Sequence, residues 1–75
     1  MDKRNIIGDN VKRLRKKQGL TQEELTAKLQ LYGLAIDRPM LTKIELKKRE
    51  VLDYELLCIA KAFNVSTEEL FTKQR

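Results

Sequence analysis

Apolar residues near the start of the chain recur at the spacing of an α-helix. Ile7, Val11 and Leu14 lie at i, i+4 and i+7, so they share one face of a helix over about residues 4–18. Gly19 follows this stretch and is typical of a C-terminal cap, because glycine adopts a left-handed backbone without steric cost. The pattern predicts a first amphipathic helix with several basic residues on its later turns.

The second stretch begins with a capping signal. Thr21 and Glu24 have the spacing of a capping box, in which each side chain accepts a backbone N–H of the first turn. Leu25 and Leu29 then supply one apolar face. We expect this second helix to reach about Tyr32, where a glycine follows.

A third, shorter helix is predicted over residues 37–45. Asp37 is a candidate N-cap, and Pro39 falls in the first turn, where the missing N–H does no harm. Leu41 and Ile44 are three residues apart and can hold the helix on a core. The side chains expected to face outward are those of Arg38, Met40, Thr42 and Lys43. An apolar inner face and a basic, polar outer face suit a helix that enters the DNA major groove.

Two further helices are predicted in the last third of the chain. The apolar residues at i, i+3, i+4 and i+7 of the fourth helix are Leu56, Ile59, Ala60 and Phe63. Asp53 is expected to be its cap or first residue. Ser66 and Glu69 form a second capping box, which opens a short fifth helix with Leu70 and Phe71. No stretch alternates with the period of a strand.

Length and composition narrow the class of protein. The 75 residues allow one domain, spanning residues 1–75, and no apolar run is long enough for a signal peptide or a membrane span. One cysteine and no histidine argue against a disulfide framework and a zinc site. Cys58 is expected to be a small, partly buried residue, and residues 72–75 to be frayed.

These features also argue against an enzyme. The sequence offers no glycine-rich phosphate loop, no paired carboxylates in an apolar setting and no nucleophile with a base. We therefore expect no catalytic residues, no cofactor, no metal and no small-molecule ligand, and a cytoplasmic location. Four aromatic residues are too few for a platform that stacks single-stranded bases.

Charge is divided unevenly along the chain. The net charge is +5, but residues 1–49 carry 13 Lys and Arg against 6 Asp and Glu, whereas residues 50–75 carry 3 against 5. A basic N-terminal part favours a polyanionic partner, and an acidic C-terminal part favours a different contact. The alternative is that the lysines serve only solubility.

Three segments together resemble the helix-turn-helix family of lambda-type and Cro-type repressors, the XRE-like group. They are TQEEL at residues 21–25, LTKIE at 41–45 and IAKAFNVS at 59–66, and the resemblance covers roughly residues 6–71. It implies an all-α fold: a compact five-helix lambda-repressor-like DNA-binding domain in which the third helix reads the bases.

The resemblance also implies roles for individual residues. Base contacts would come from Arg38, Pro39, Met40, Thr42 and Lys43. Phosphate contacts would come from Thr21, Gln22, Lys47, Lys48 and Arg49. Arg15 and Glu45 occupy positions that form a buried ion pair in the family. The alternatives are that Gln22 is an ordinary helix-start residue, that the 47–49 loop is merely solvated, and that Arg15 touches phosphate while Glu45 is solvated.

One segment departs from the family. The connection between the second and third helices is about four residues longer than the usual tight turn, which puts the angle between them in question. Gly33 is expected to end the second helix, and Ile36 to pack inward just before the third. The third helix keeps its own signals.

The resulting functional prediction is a sequence-specific regulator of transcription that binds double-stranded DNA, most simply a repressor. One helix reads only a few base pairs, so a homodimer on two half-sites is expected. Its interface is predicted at Leu57, Val65, Leu70 and Phe71, which alternatively complete the monomer core. Other hypotheses are an antitoxin, a restriction-control protein, and a protein-interaction module that uses Leu31, Tyr32 and Leu34.

Overall fold

The computed structural model describes residues 2–72, and this part of the chain contains helices and no strand. In chain order the helices are α1 (Gly8–Lys17), α2 (Gln22–Leu31), α3 (Arg38–Glu45), α4 (Asp53–Phe63) and α5 (Thr67–Leu70). The predicted all-α fold with five helices is therefore confirmed. None of these helices is long and apolar enough to cross a membrane.

The helices enclose one hydrophobic core. Helix α3 packs against α1 and α2, while α4 packs against α1, α2 and α5. The buried apolar residues are Ile7, Val11, Leu14, Leu25, Leu29, Leu34, Ile36, Leu41, Ile44, Ile59, Ala60, Ala62, Phe63 and Leu70. The inner faces predicted for the first three helices are all in this set, so the packing leaves the opposite face of α3 available to solvent.

Helix α1 begins at Gly8, four residues later than predicted. The Asn5 side-chain oxygen accepts the N–H groups of Ile7 and Gly8, which turns the chain into the helix, and its amide donates to the Ile44 carbonyl at 2.8 Å. Gly8 also lies so close to the Ile44 carbonyl that a Cβ atom would collide with it. The start of α1 is therefore set by contact with the end of α3, which helical periodicity does not reveal.

The connection between α2 and α3 folds back onto the core. Gly33 has a φ of +88°, and the next residue donates its N–H to the Leu29 carbonyl, which closes the C-terminal turn of α2. Ile36 is buried, as predicted. Leu34 is buried too, so its predicted place on a partner surface is wrong; the left-handed turn at Gly33 directs it inward. Leu31 and Tyr32 do remain exposed.

The predicted dimer-interface residues differ in how far they are buried. Leu70 is fully buried in the core, so its assignment to an interface is wrong: α5 needs this side chain to pack onto the rest of the domain. Val65 is half-buried and packs against the same core. Leu57 and Phe71 are 49% and 47% exposed, so they remain available for contact with another molecule.

Helix α1 holds the C-terminal part of the domain with two amide side chains. The Asn10 amide donates to the carbonyls of Leu70 and Thr72, at 2.8 and 2.7 Å, and the Gln18 amide donates to the Phe63 carbonyl at 2.8 Å. Thr72 is thus hydrogen-bonded, and fraying there was a wrong prediction. The rest of that prediction, for residues 73–75, lies outside the described part of the chain.

Candidate nucleic-acid interface

The N-terminus of α3 is built as predicted. The Asp37 carboxylate accepts the Met40 N–H at 2.9 Å, and Pro39 occupies the first turn. Arg38, Pro39 and Lys43 are exposed, whereas Met40 is only partly so because its side chain packs against the core cluster. The accessible face of α3 therefore carries two cations and a hydroxyl, that of Thr42, which is half-buried.

Gln22, the first residue of α2, joins this face through its side chain. Its oxygen accepts the Arg38 Nε–H at 3.1 Å and lies 3.4 Å from the Thr42 hydroxyl. Its nitrogen donates to the Glu45 carboxylate at 3.2 Å. The Glu45 carboxylate only accepts hydrogen bonds and the Arg38 guanidinium only donates them. The Gln22 amide therefore satisfies both when its nitrogen faces Glu45 and its oxygen faces Arg38.

A buried ion pair continues the network into α1. Arg15 Nε lies 2.7 Å from Glu45 Oε2, and the Arg15 and Glu45 side chains are 11% and 3% exposed. Arg15 Nη2 contacts the second carboxylate oxygen at 3.2 Å, and Nη1 donates to the Leu20 carbonyl at 2.9 Å. The ion pair fixes α3 to α1, as the family resemblance implied, and Arg15 also holds the turn before α2.

The start of α2 forms the capping box that the sequence predicted. The Thr21 hydroxyl accepts the Glu24 N–H at 3.1 Å, and the Glu24 carboxylate accepts the Thr21 N–H at 2.9 Å. The hydrogen bond from the Thr21 backbone lowers the pKa of Glu24. An open surface pocket here is lined by Arg15, Thr21, Gln22, Glu23 and Arg38. Glu23 lies 3.4 Å from the Arg38 guanidinium, so the pocket contains both signs of charge.

The three cations after α3 have three different environments. Lys47 Nζ pairs with Asp9 on α1 at 2.9 Å. Arg49 makes two contacts, of 3.2 and 3.1 Å, with the carboxylate of Glu55, whose side chain is 4% exposed. Lys48 is exposed. Arg49 therefore compensates a buried charge on α4, a role that is not visible in the sequence, where the three cations form one cluster.

The N-terminal segment was also missed by the sequence analysis. Asp2 donates its backbone N–H to the Lys47 carbonyl at 2.7 Å, and Val51 donates to the Arg4 carbonyl. Arg4 pairs with Asp2 and with Glu50, both at 3.0 Å, and its hydrogen bond lowers the pKa of Asp2. This segment runs beside the loop that follows α3 and holds it in place. No local pattern marks it, because its contacts with that loop join residues more than 40 positions apart.

Comparison with known proteins decides the family. The helix-turn-helix family matches residues 11–70, which contain α2, α3, α4 and α5 and most of α1. The chain belongs to the helix-turn-helix family.

Two relatives of this helix-turn-helix protein are similar over nearly the whole chain. An uncharacterized HTH-type transcriptional regulator, y4dJ, of Sinorhizobium fredii (strain NBRC 101917 / NGR234) is 36% identical over 96% of this chain and 87% of its own. Control protein C.SmaI of Serratia marcescens is 35% identical over 99% of this chain and 82% of its own. No solved structure gives a significant match.

Proposed function

We propose that this protein is a homodimeric repressor that binds specific sites in double-stranded DNA through the exposed face of α3. The observation that carries the proposal is the joint placement of Arg38 and Lys43 on that face, with the N-terminus of α2 beside them. Arginine and lysine donate to the O6 and N7 atoms of guanine in the major groove, and Thr42 or Met40 can contact a thymine methyl.

The backbone of the DNA would be held on either side of α3. Thr21 and Gln22 at the start of α2 are the proposed contacts on one side, and Lys47, Lys48 and Arg49 on the other. Lys48 is the most accessible of these cations, since Lys47 and Arg49 already pair with carboxylates of the domain. Such contacts would add affinity that does not depend on sequence.

The homodimer would use the less basic C-terminal part, at Leu57 and Phe71, which are about half exposed. Two copies can meet there while both α3 helices face the same duplex. A dimer is expected because one helix reads too few base pairs for useful specificity.

A second candidate is restriction control, which the similarity to a relative named as a control protein favours. The genes that neighbour the gene for this protein distinguish restriction control from general repression. Restriction and modification genes beside it would favour restriction control. Both candidates need the same DNA-binding surface.

Fluorescence anisotropy with a labelled duplex of mixed sequence tests the DNA-binding step. We expect binding whose association constant falls steeply with salt, with a log–log slope of about −0.9 for each phosphate neutralised. The single strand of the same sequence is the control and should bind more weakly. Absence of binding to the duplex, or no preference for it over the single strand, would refute the proposal.

A further inference from the structure

The outward face of α4 is an apolar stripe with a charge at each end. Tyr54 and Leu57 are 57% and 49% exposed, and Cys58 is half-buried beside them. Asp53 and Lys61, at the two ends, are exposed. The buried residues of α4 lie on the opposite side of the helix and are Glu55, Ile59, Ala60, Ala62 and Phe63. Tyr54 and Leu57 are therefore left largely uncovered by the described part of the chain.

This stripe is complementary to itself. Asp53 and Lys61 are each four residues from Leu57, in opposite directions, so each lies about 6 Å along the helix axis from it. In two antiparallel copies of α4 that cross at Leu57, the Asp53 carboxylate of one copy would face the Lys61 ammonium of the other. A two-fold axis repeats this contact, so both ends of the stripe would be paired.

We propose that two copies of this chain associate through antiparallel α4 helices, centred on Leu57, with Asp53 of each copy paired with Lys61 of the other. This proposal rests on the homodimer of the proposed function and specifies its geometry. The stripe has no net charge, whereas each whole chain carries +5, so this face avoids the repulsion that the basic faces would meet.

The lengthened connection between α2 and α3 extends the same surface. The Cys58 thiol donates to the Tyr32 carbonyl, with the sulfur 3.5 Å from the oxygen, so Tyr32 lies next to the stripe. The Tyr32 side chain is about half exposed and lies in the connection between α2 and α3. This connection thus enlarges the contact face, and it leads directly into Asp37, the cap of α3.

An interface made of two α4 helices, with Tyr32 of each copy at its edge, is small. Contacts at the low end of the size range form weak, transient complexes. The dimer is therefore expected to dissociate on dilution and to become stable when both copies occupy one duplex. Phe71 lies outside this stripe, just after the end of α5, so Leu57→Glu is expected to weaken association much more than Phe71→Glu.

Cys58 provides a direct test, because it is the only cysteine and lies one residue from the proposed two-fold axis. A short bismaleimide should join two copies of the wild-type chain into a covalent dimer, with a yield that rises with protein concentration. The matched control is Cys58→Ser combined with Lys12→Cys, which moves the thiol to the exposed surface of α1. The control should give little covalent dimer under the same conditions.

Charge reversal provides the second arm and does not depend on thiol reactivity. Asp53→Lys and Lys61→Asp should each raise the dimer dissociation constant by on the order of tenfold, since each turns two attractive contacts into repulsive ones. The double variant restores opposite charges and should recover association. Sedimentation measures the dissociation constants, and circular dichroism verifies that each variant is folded.

The outcomes separate the geometry from the proposed function. Cross-linking at Cys58 together with rescue in the double variant supports the antiparallel pair. If sedimentation shows a dimer whose dissociation constant does not change in the charge-reversal variants, this geometry is wrong but the homodimer is retained. A chain that stays monomeric at every concentration and on a two-half-site duplex overturns both, whereas DNA binding by α3 is measured independently.

Discussion

Removing Arg15 tests whether the ion pair with Glu45 holds α3 in place. In Arg15→Ala the Glu45 carboxylate would stay buried, with the Gln22 amide at 3.2 Å as its remaining side-chain contact. Breaking a buried pair by removing one partner costs about 3–5 kcal/mol, because an uncompensated charge is left inside the protein. Arg15 reaches the surface with 11% of its side chain, so water can approach, and we expect the lower end, about 3 kcal/mol.

That loss is a large part of the stability of a small domain. At about 0.05–0.15 kcal/mol per residue, a domain of this size has a folding free energy of roughly 4–11 kcal/mol. Glu45→Ala should cost a similar amount, since it leaves the Arg15 guanidinium with the Leu20 carbonyl alone among the contacts described. The double variant removes both charges and should be less destabilised than the sum of the two single variants.

Urea denaturation followed by circular dichroism measures all three variants against the wild type. Arg4→Ala is the matched control: its guanidinium pairs with Asp2 and Glu50, but its side chain is 70% exposed, so no comparable loss is expected. Full additivity of the Arg15 and Glu45 variants would show that the two side chains do not interact. Losses no larger than that of the control would show that burial of the pair carries no energetic weight.

Four further predictions concern individual side chains. Truncating Arg38 or Lys43 to alanine should cost about 1–3 kcal/mol on the preferred DNA site and much less on random duplex, measured by anisotropy, and an equal loss on both would make them backbone contacts. Lys48→Ala should reduce the slope of the salt dependence by about one without lowering the melting temperature. Arg49→Ala should instead lower the melting temperature, because its partner on α4 is buried, and a stable variant would contradict this. The pKa of Glu24 is lower in the folded protein than in the unfolded chain, so its ionised carboxylate stabilises the fold at pH values above the unfolded-state pKa. This stabilisation is lost as the pH falls through the folded-state pKa. Glu24→Gln should therefore flatten the acid side of a curve of stability against pH.

Helix boundaries that depend on local chemistry were predictable from the sequence. The caps at Thr21, Asp37 and Ser66 each use a side chain that bonds to a backbone N–H three residues away, and the structure contains all three. The turn at Gly33 was likewise readable, because it needs only a left-handed residue at the end of a helix. These signals act within one turn and survive whatever packs around them.

Features that depend on distant contacts were not predictable in this way. The start of α1 depends on Asn5 and Gly8 meeting Ile44 across the fold, and Arg49 gains its role from Glu55, whose burial follows from the packing of α4. The Arg15–Glu45 pair joins residues 30 positions apart and was reached through the family resemblance, since periodicity says nothing about partners on other helices. The same limit explains why Leu70 of α5 was predicted to lie at a dimer interface but is buried in the core.

Selection of bound duplexes from a random pool tests the central claim, that α3 reads specific DNA sequence in a two-fold symmetric complex. We predict enrichment of a palindrome whose half-sites are centred about one helical turn apart. Each half-site should contain guanines, and the preference for guanine at those positions should be lost when Arg38 or Lys43 is truncated. Recovery of unenriched sequence would contradict specific recognition. An enriched site with a single unrepeated half would contradict the dimer.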